Sequence, residues 1–208
     1  MDDVALLVIA KEPIPGRVKT RLTPPCSPAQ AAALAGAALT DTLDLVARMS
    51  VPRKILIFDG DFRCWQRDGF ELIAQRGSGL DERLAAAFAD VPGPALLVGM
   101  DTPQLTEALL DDGLRALSRP AVDAVLGRTA DGGYWSVGLK HGGAGVFSGI
   151  PMSCHTTWRR QRARLLQLRL RVHDQPLLRD VDTIDDACAV ALQAPNSRFA
   201  ATLRSITG

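Results

Sequence analysis

The sequence predicts an α/β domain with a mostly parallel mixed sheet and helices on both faces, and three observations carry that prediction. Short, nearly continuous apolar runs recur, longer stretches with helical spacing separate them, and the two patterns alternate through roughly the first 140 residues. Short apolar runs suit strands covered on both faces, and regular alternation with helices builds a parallel sheet. The 208 residues suit one domain, since a chain of this size buries roughly 70% of its unfolded surface in a single core.

Taken in order, "VALLVIA" (4–10), "KILIF" (54–58) and "PALLVGM" (94–100) are the strongest strands. "ELIAQ" (71–75), "DAVLGR" (123–128) and "YWSVGL" (134–139) are weaker ones. The first helix begins in "SPAQAAALAGAALTDTLDLVARM", with Ser27 as N-cap and Pro28 at the first helical position. "LDERLAAAFADV" and "TEALLDDGLRALS" read as shorter amphipathic helices, the second starting at Thr106. Beyond about residue 140 the alternation blurs. "HGGAGVFSGIP" is glycine-rich, "TTWRRQRARLLQLRL" is a basic helix, and "DVDTIDDACAVAL" opens a last helical region through a capping box of Thr183 and Asp186. This segment is expected to pack back on the sheet and to carry the acceptor side of a site.

Composition narrows the function classes. Lys plus Arg number 24 against 23 for Asp plus Glu, a net charge of +1, which gives no general attraction to nucleic acid or anionic membrane. Arg159, Arg160, Arg162 and Arg164 read as a solvated helix face without the aromatic platform that single strands need. No stretch approaches the roughly 20 apolar residues of a membrane span, and the N-terminus starts acidic where a signal peptide starts basic, so a cytoplasmic protein is expected. Cys26, Cys64, Cys154 and Cys188 are scattered and read as free thiols. Nucleophile-elbow, P-loop and zincin motifs are absent.

Four constellations carry chemistry. "AKEPIPGRVKTRL" (10–22) places Lys11, Arg17, Lys19 and Arg21 around two prolines and Gly16, where a strand ends. Ligands of open parallel sheets bind at such ends, and this stretch supplies cations for phosphate and a backbone that can approach it closely. Asp101 in "LLVGMDTPQL" follows a buried strand, where Mg²⁺ or Mn²⁺ could be held and bridge a diphosphate. Asp131 precedes two glycines, Tyr134 and Trp135 in "GRTADGGYWSVGL", a loop that brings a carboxylate and a stacking surface to a substrate. In "LLRDVDTIDDA", Asp180 and Asp182 remain available, beside the cap, to complete a metal site or position a nucleophile. A glycine-containing turn before "LDERL" brings Asp81 to where it could bind a base or ribose, or simply link elements.

Together "KEPIPGRVKTRL", "GMDTPQL", "GRTADGGYW" and "DVDTIDD" resemble the bacterial transferase 1, radical-SAM/selenodomain-associated family, a group predicted to be GT-A-type glycosyltransferases. The resemblance spans residues 10 to 186 and implies a Rossmann-like GT-A domain, a nucleotide-diphospho-sugar transferase fold. It places the nucleotide over about 1–105 and the acceptor over about 106–208. On that likeness Arg17, Lys19 and Arg21 match the phosphate-contacting loop, Asp101 matches the metal-binding acidic position, and Asp131 with Tyr134 matches the D-G-G-Y loop. The residues themselves add Lys11, Gly16 and Asp81 as candidates on the nucleotide side, Asp182 as a second ligand for Mg²⁺ or Mn²⁺, and Trp135 and His155 beside Tyr134 where an acceptor would enter. Asp131 is the first candidate for general base and Asp182 the second. The substrates would be a nucleoside-diphosphate sugar and a small-molecule acceptor.

Two departures stand out. "PMSCHTTW" has Met152 where the family tends to have tryptophan, and Gly99 stands where a D-x-D motif would put its first aspartate. The opening motif and the acidic "DTIDD" are also similar to 2-phospholactate guanylyltransferases and molybdenum-cofactor nucleotidyltransferases, which would make the chain a nucleotidyltransferase. A non-catalytic nucleotide-binding protein is the third reading.

Overall fold

The computed structural model of the protein describes residues 3–142 and 145–207. The glycine-rich stretch at 141–151 is thus described in part, Gly143 and Ala144 lying outside the described residues. Seven strands form one sheet: β1 (Ala5–Lys11), β2 (Lys54–Asp59), β3 (Phe70–Ala74), β4 (Ala95–Val98), β5 (Ala124–Thr129), β6 (Tyr134–Leu139) and β7 (Val172–Leu178). The helices are α1 (Pro28–Arg48), α2 (Leu80–Asp90), α3 (Glu107–Ser118), α4 (Thr157–Gln167), α5 (Ile184–Gln193) and α6 (Arg198–Thr207).

Apolar side chains of the central strands alternate between two cores, which explains why these runs are continuous in sequence. Leu6, Val8, Leu96 and Val98 face Leu39, Leu43, Leu110 and Leu114 of α1 and α3. Ala5, Leu7, Ala95 and Leu97 face Leu84 and Phe88 of α2 and Leu165 of α4. A third cluster joins α1, α5 and α6 through Leu34, Val190 and Phe199, and it also takes in Leu22 and Val181. The helix starts follow the sequence signals. Ser27 forms a capping box with Gln30, Thr106 accepts from the amide of Leu109, and Thr183 forms a capping box with Asp186.

The sheet order is β3-β2-β1-β4-β6-β5-β7. Only β6 runs against the others. The chain winds outward from β1 to β3 and then returns to lay β4 on the other side of β1, so a crevice opens beyond the carboxyl ends of β1 and β4. Because β6 is antiparallel, its first residues stand at that same edge, and the ends of β5 and β7 join them.

The sequence pattern does not reveal β7. "VHDQPLL" lacks apolar alternation and contains Pro176, which removes a ladder donor. The proline is accommodated because β7 is an edge strand and the register shifts beside it, Gly127 pairing Gln175 and Thr129 pairing Leu178. The strand is held inward by Gln175, whose Oε1 accepts from Ser136 Oγ at 2.7 Å and whose Nε2 donates to the Leu109 carbonyl at 2.8 Å.

Candidate active site

The crevice is a cleft of about 450 Å³. One wall is the basic turn after β1, with Lys11, Lys19 and Arg21. The floor is Gly99, Met100 and Asp101 after β4, and the opposite wall combines Asp131 and Tyr134 with Met152 and Ser153. Asp180 and Asp182, just beyond β7, close the ring.

Three carboxylates converge there. Asp131, Asp180 and Asp182 each offer an oxygen within 4.8 Å of the others. In an extended chain alternate side chains share a side, and here Val181 turns into the core at 1% exposure while its two neighbours face the cleft. Asp131 comes from the loop between β5 and β6. Its Oδ1 accepts from Thr129 Oγ1 at 2.6 Å and from the Gly133 amide at 2.8 Å, which fixes the carboxylate and leaves its second oxygen free for other partners. Gly132, at φ +93°, lies so close to the His155 backbone that a Cβ would stand 2.2 Å from its carbonyl oxygen. Its own carbonyl accepts from the Trp158 amide at 2.8 Å, docking the loop on the start of α4.

The electrostatics single out Asp180 within the cluster. Burial, followed by the repulsion of Asp131 and Asp182, pushes the Asp180 carboxyl up to about 6. Hard oxygen donors at this spacing fit Mg²⁺ or Mn²⁺, and a cation would relieve that repulsion. Burial pulls the Lys19 ammonium down, but Asp101, Asp182 and Asp180 outweigh it and leave the pKa raised. The Tyr134 phenol is raised by burial, and its hydroxyl lies 3.7 Å from Met152 Sδ.

The structure sorts the residues singled out in sequence. Asp101 lies on the cleft floor but outside the three-carboxylate cluster, and Lys19 Nζ pairs with its Oδ1 at 2.8 Å. Arg21 Nη1 bonds Asp182 Oδ2 at 2.7 Å. Lys11 lines the cleft, whereas Gly16 and Arg17 sit at the exposed turn outside its walls. Trp135 is 2% exposed and donates its indole N–H to the Pro176 carbonyl at 3.0 Å. It lines the cleft, yet at this burial it serves mainly to tie β6 to β7 across β5 and presents little open face for stacking. His155 is exposed and meets the loop through its backbone, its side chain lying outside the cleft walls. Asp81 stands in the first turn of α2 beside Leu80, which lines the cleft.

Asp180 gains most from the structure. Its signal in the sequence is the D-x-D spacing of Asp180-Val181-Asp182, the arrangement missing at Gly99 and Asp101. Thr102, Thr129, Met152, Ser153 and Thr157 also line the cleft, without a distinguishing motif.

Residues 42–154, more than half of the chain, match the family model described as "Uncharacterized protein conserved in bacteria (DUF2064)". The chain belongs to this family. A search of curated proteins finds no match. Among solved structures, the DUF2064 chain is similar to a protein from Desulfovibrio desulfuricans G20 provisionally assigned as a nucleotide-diphospho-sugar transferase. The two share 29% identity with a TM-score of 0.88, over 99% of this chain and 95% of that one. Two others share the fold alone. The 4-diphosphocytidyl-2C-methyl-D-erythritol synthase of Anaerococcus prevotii DSM 20548 has a TM-score of 0.58 and 10% identity, over 94% of this chain and 97% of that one. Glucosyl-3-phosphoglycerate synthase of Mycobacterium tuberculosis, solved with Mn²⁺, UDP and glucosyl-3-phosphoglycerate, has a TM-score of 0.56 and 10% identity, over 98% and 79%. The DUF2064 chain thus has the fold of nucleotide-diphospho-sugar transferases and cytidylyltransferases. Among its described residues, no helix is long and apolar enough to cross a membrane.

Proposed function

We propose that this protein is a metal-assisted glycosyltransferase that moves a sugar from a nucleoside-diphosphate sugar to a small-molecule acceptor. The observation that carries this reading is the meeting of three carboxylates and a basic turn across one cleft, at the carboxyl edge of a parallel sheet. The nucleotide lies over residues 1–105 and the acceptor over 106–208.

Asp180 and Asp182 hold Mg²⁺ or Mn²⁺, and an ion there supplies positive charge against the negative charge that develops on the leaving diphosphate. Lys11 and Arg21, on the cleft wall, attract and orient the diphosphate, while Arg17 and Gly16, at the exposed turn beyond the walls, add positive charge at longer range and an unobstructed approach. Leu80 and Asp81 lie where the base and ribose would rest. Tyr134, Met152 and Ser153 face the acceptor. Asp131, pinned through one oxygen, takes the acceptor hydroxyl's proton on the other. The acceptor oxygen bonds to the anomeric carbon, the bond from that carbon to the diphosphate oxygen breaks, and nucleoside diphosphate leaves.

Two measurements test this. In a thermal-shift panel with Mn²⁺, nucleoside-diphosphate sugars should stabilise the protein, and turnover should release nucleoside diphosphate. Stabilisation by nucleoside triphosphates with release of pyrophosphate would assign nucleotidyl transfer instead, and silence toward both would leave a non-catalytic protein. Asp131→Asn should lower turnover about 100- to 10,000-fold, the range for loss of a general base, while nucleotide affinity stays within about threefold. Equal loss of both would remove Asp131 from that role.

A further inference from the structure

By sequence Lys19 is one of a row of cations suited to a diphosphate. Its surroundings assign it another task. An ammonium has three hydrogens and no acceptor, and the Lys19 side chain is only 10% exposed. Its Nζ donates to the Val181 carbonyl, pairs with Asp101 Oδ1 at 2.8 Å and stands 3.6 Å from Asp182 Oδ1. Two of its directions are thus taken by oxygens of the protein itself, and a third protein oxygen, on Asp182, stands within ion-pair range. Lys11 and Arg17 differ: both are exposed, and among the described residues neither has an ion-pair partner.

The backbone reinforces the distinction. Lys19 adopts φ 47° and ψ 40°, a left-handed conformation uncommon for a residue with a side chain. The chain turns there into the short 3₁₀ segment Thr20–Leu22, which sinks Leu22 into the same cluster as Val181. Val181 is bracketed on every side. Its amide donates to the Asp101 carbonyl at 3.0 Å, its carbonyl accepts from Lys19, and its side chain is buried beside Leu22. Asp180 and Asp182 flank this fixed residue. Without the ammonium, the Val181 carbonyl loses its Lys19 donor, and among the described residues Asp182 keeps Arg21, which is 69% exposed, as its ion-pair partner.

We propose that Lys19 is a positioning residue that holds the Asp180–Asp182 segment in place for a divalent cation and does not contact the diphosphate. The proposal rests on the reading of Asp180 and Asp182 as cation ligands. Coulomb's law alone predicts the opposite outcome, since removing a positive charge beside acidic ligands should tighten cation binding. The sign of the effect therefore separates the two.

The test measures Mn²⁺ affinity by electron paramagnetic resonance of the free aquo ion, and pyrophosphate affinity by calorimetry in EDTA. It uses the wild type, Lys19→Met, Lys19→Arg and Lys19→Gln. Lys19→Met should weaken Mn²⁺ at least tenfold and leave pyrophosphate within twofold, and Lys19→Arg should recover part of the loss. Asp101→Asn would also remove a negative charge, so its weaker Mn²⁺ binding would follow from either account; Lys19→Gln, for which charge loss alone predicts tighter Mn²⁺, should weaken it at least threefold and carries the test if Lys19→Met does not fold. Unchanged or tighter Mn²⁺ with lost pyrophosphate binding makes Lys19 a phosphate ligand and overturns the proposal. Parallel loss of both affinities overturns it as well. A wild type that binds no Mn²⁺ overturns the cation reading of Asp180 and Asp182 and this role with it, whereas a binding wild type with unaffected variants overturns only the role of Lys19.

Discussion

Burial and its acidic neighbours push the Asp180 carboxyl up to a pKa of about 6 in the fold, against about 4 for an unperturbed aspartate. Between those values the folded chain keeps a proton that the unfolded chain has lost, so stability falls as pH rises through the window, and the full penalty is present above it. Asp180→Asn removes the charge that causes it. In EDTA, the stability of this variant relative to wild type should increase from pH about 4.5 to about 7.5, a window set by the two pKa values. Urea unfolding at both pH values checks this, and a constant difference would show that Asp180 is not the group that titrates in this window. The same variant should lose Mn²⁺ binding, an example of a site that costs stability for function. Some of these residues were legible in the sequence and others were not. Asp131, Asp182 and the cations stood out through motif and position. Trp135 looked available for stacking, because nothing in "DGGYW" tells that its indole reaches across β5 to the Pro176 carbonyl of β7. Asp101 and Lys19 each looked free, because their pairing at 2.8 Å joins segments 82 residues apart in sequence.

At the scale of elements, the loop between β5 and β6 and the start of α4 act as one unit through Gly132. Its positive φ and the 2.2 Å approach of a Cβ to the His155 carbonyl leave no room for a side chain. Gly132→Ala should destabilise the protein by about 1–3 kcal/mol, the range for a strained backbone position, and should shift Asp131 enough to lower turnover. Chemical denaturation and steady-state rates check both effects, and a variant of full stability would show that α4 gives way cheaply. The helix starts at Ser27, Thr106 and Thr183 were legible because capping is local: a hydroxyl bonds an amide three residues ahead. The edge strand β7 was hidden because its stabilising groups are distant. Gln175 is held by Ser136 and Leu109, and Pro176 is tolerated only because the register slips beside it.

At the scale of the whole molecule, the cleft ties the first 21 residues to the segment after β7, so cation binding should stabilise the entire fold by mass action. A free Mn²⁺ concentration about 100 times its Kd contributes about 2.7 kcal/mol, which for a chain of this size raises Tm by about 5–10 °C. EDTA should reverse the shift, and Asp182→Asn should abolish it; a shift that survives this substitution would move the cation elsewhere. The sequence by itself determined the α/β class, the central strands, the helix starts and the acidic and basic stretches, because periodicity, capping and motif are written within a few neighbouring residues. Only the tertiary structure decided which of those charges meet. The return of the chain past β1, the reversed β6 and the edge position of β7 bring Asp131, Asp180 and Asp182 to within 4.8 Å of one another and leave Asp101 to Lys19. Such pairings depend on long-range register, which no local pattern encodes.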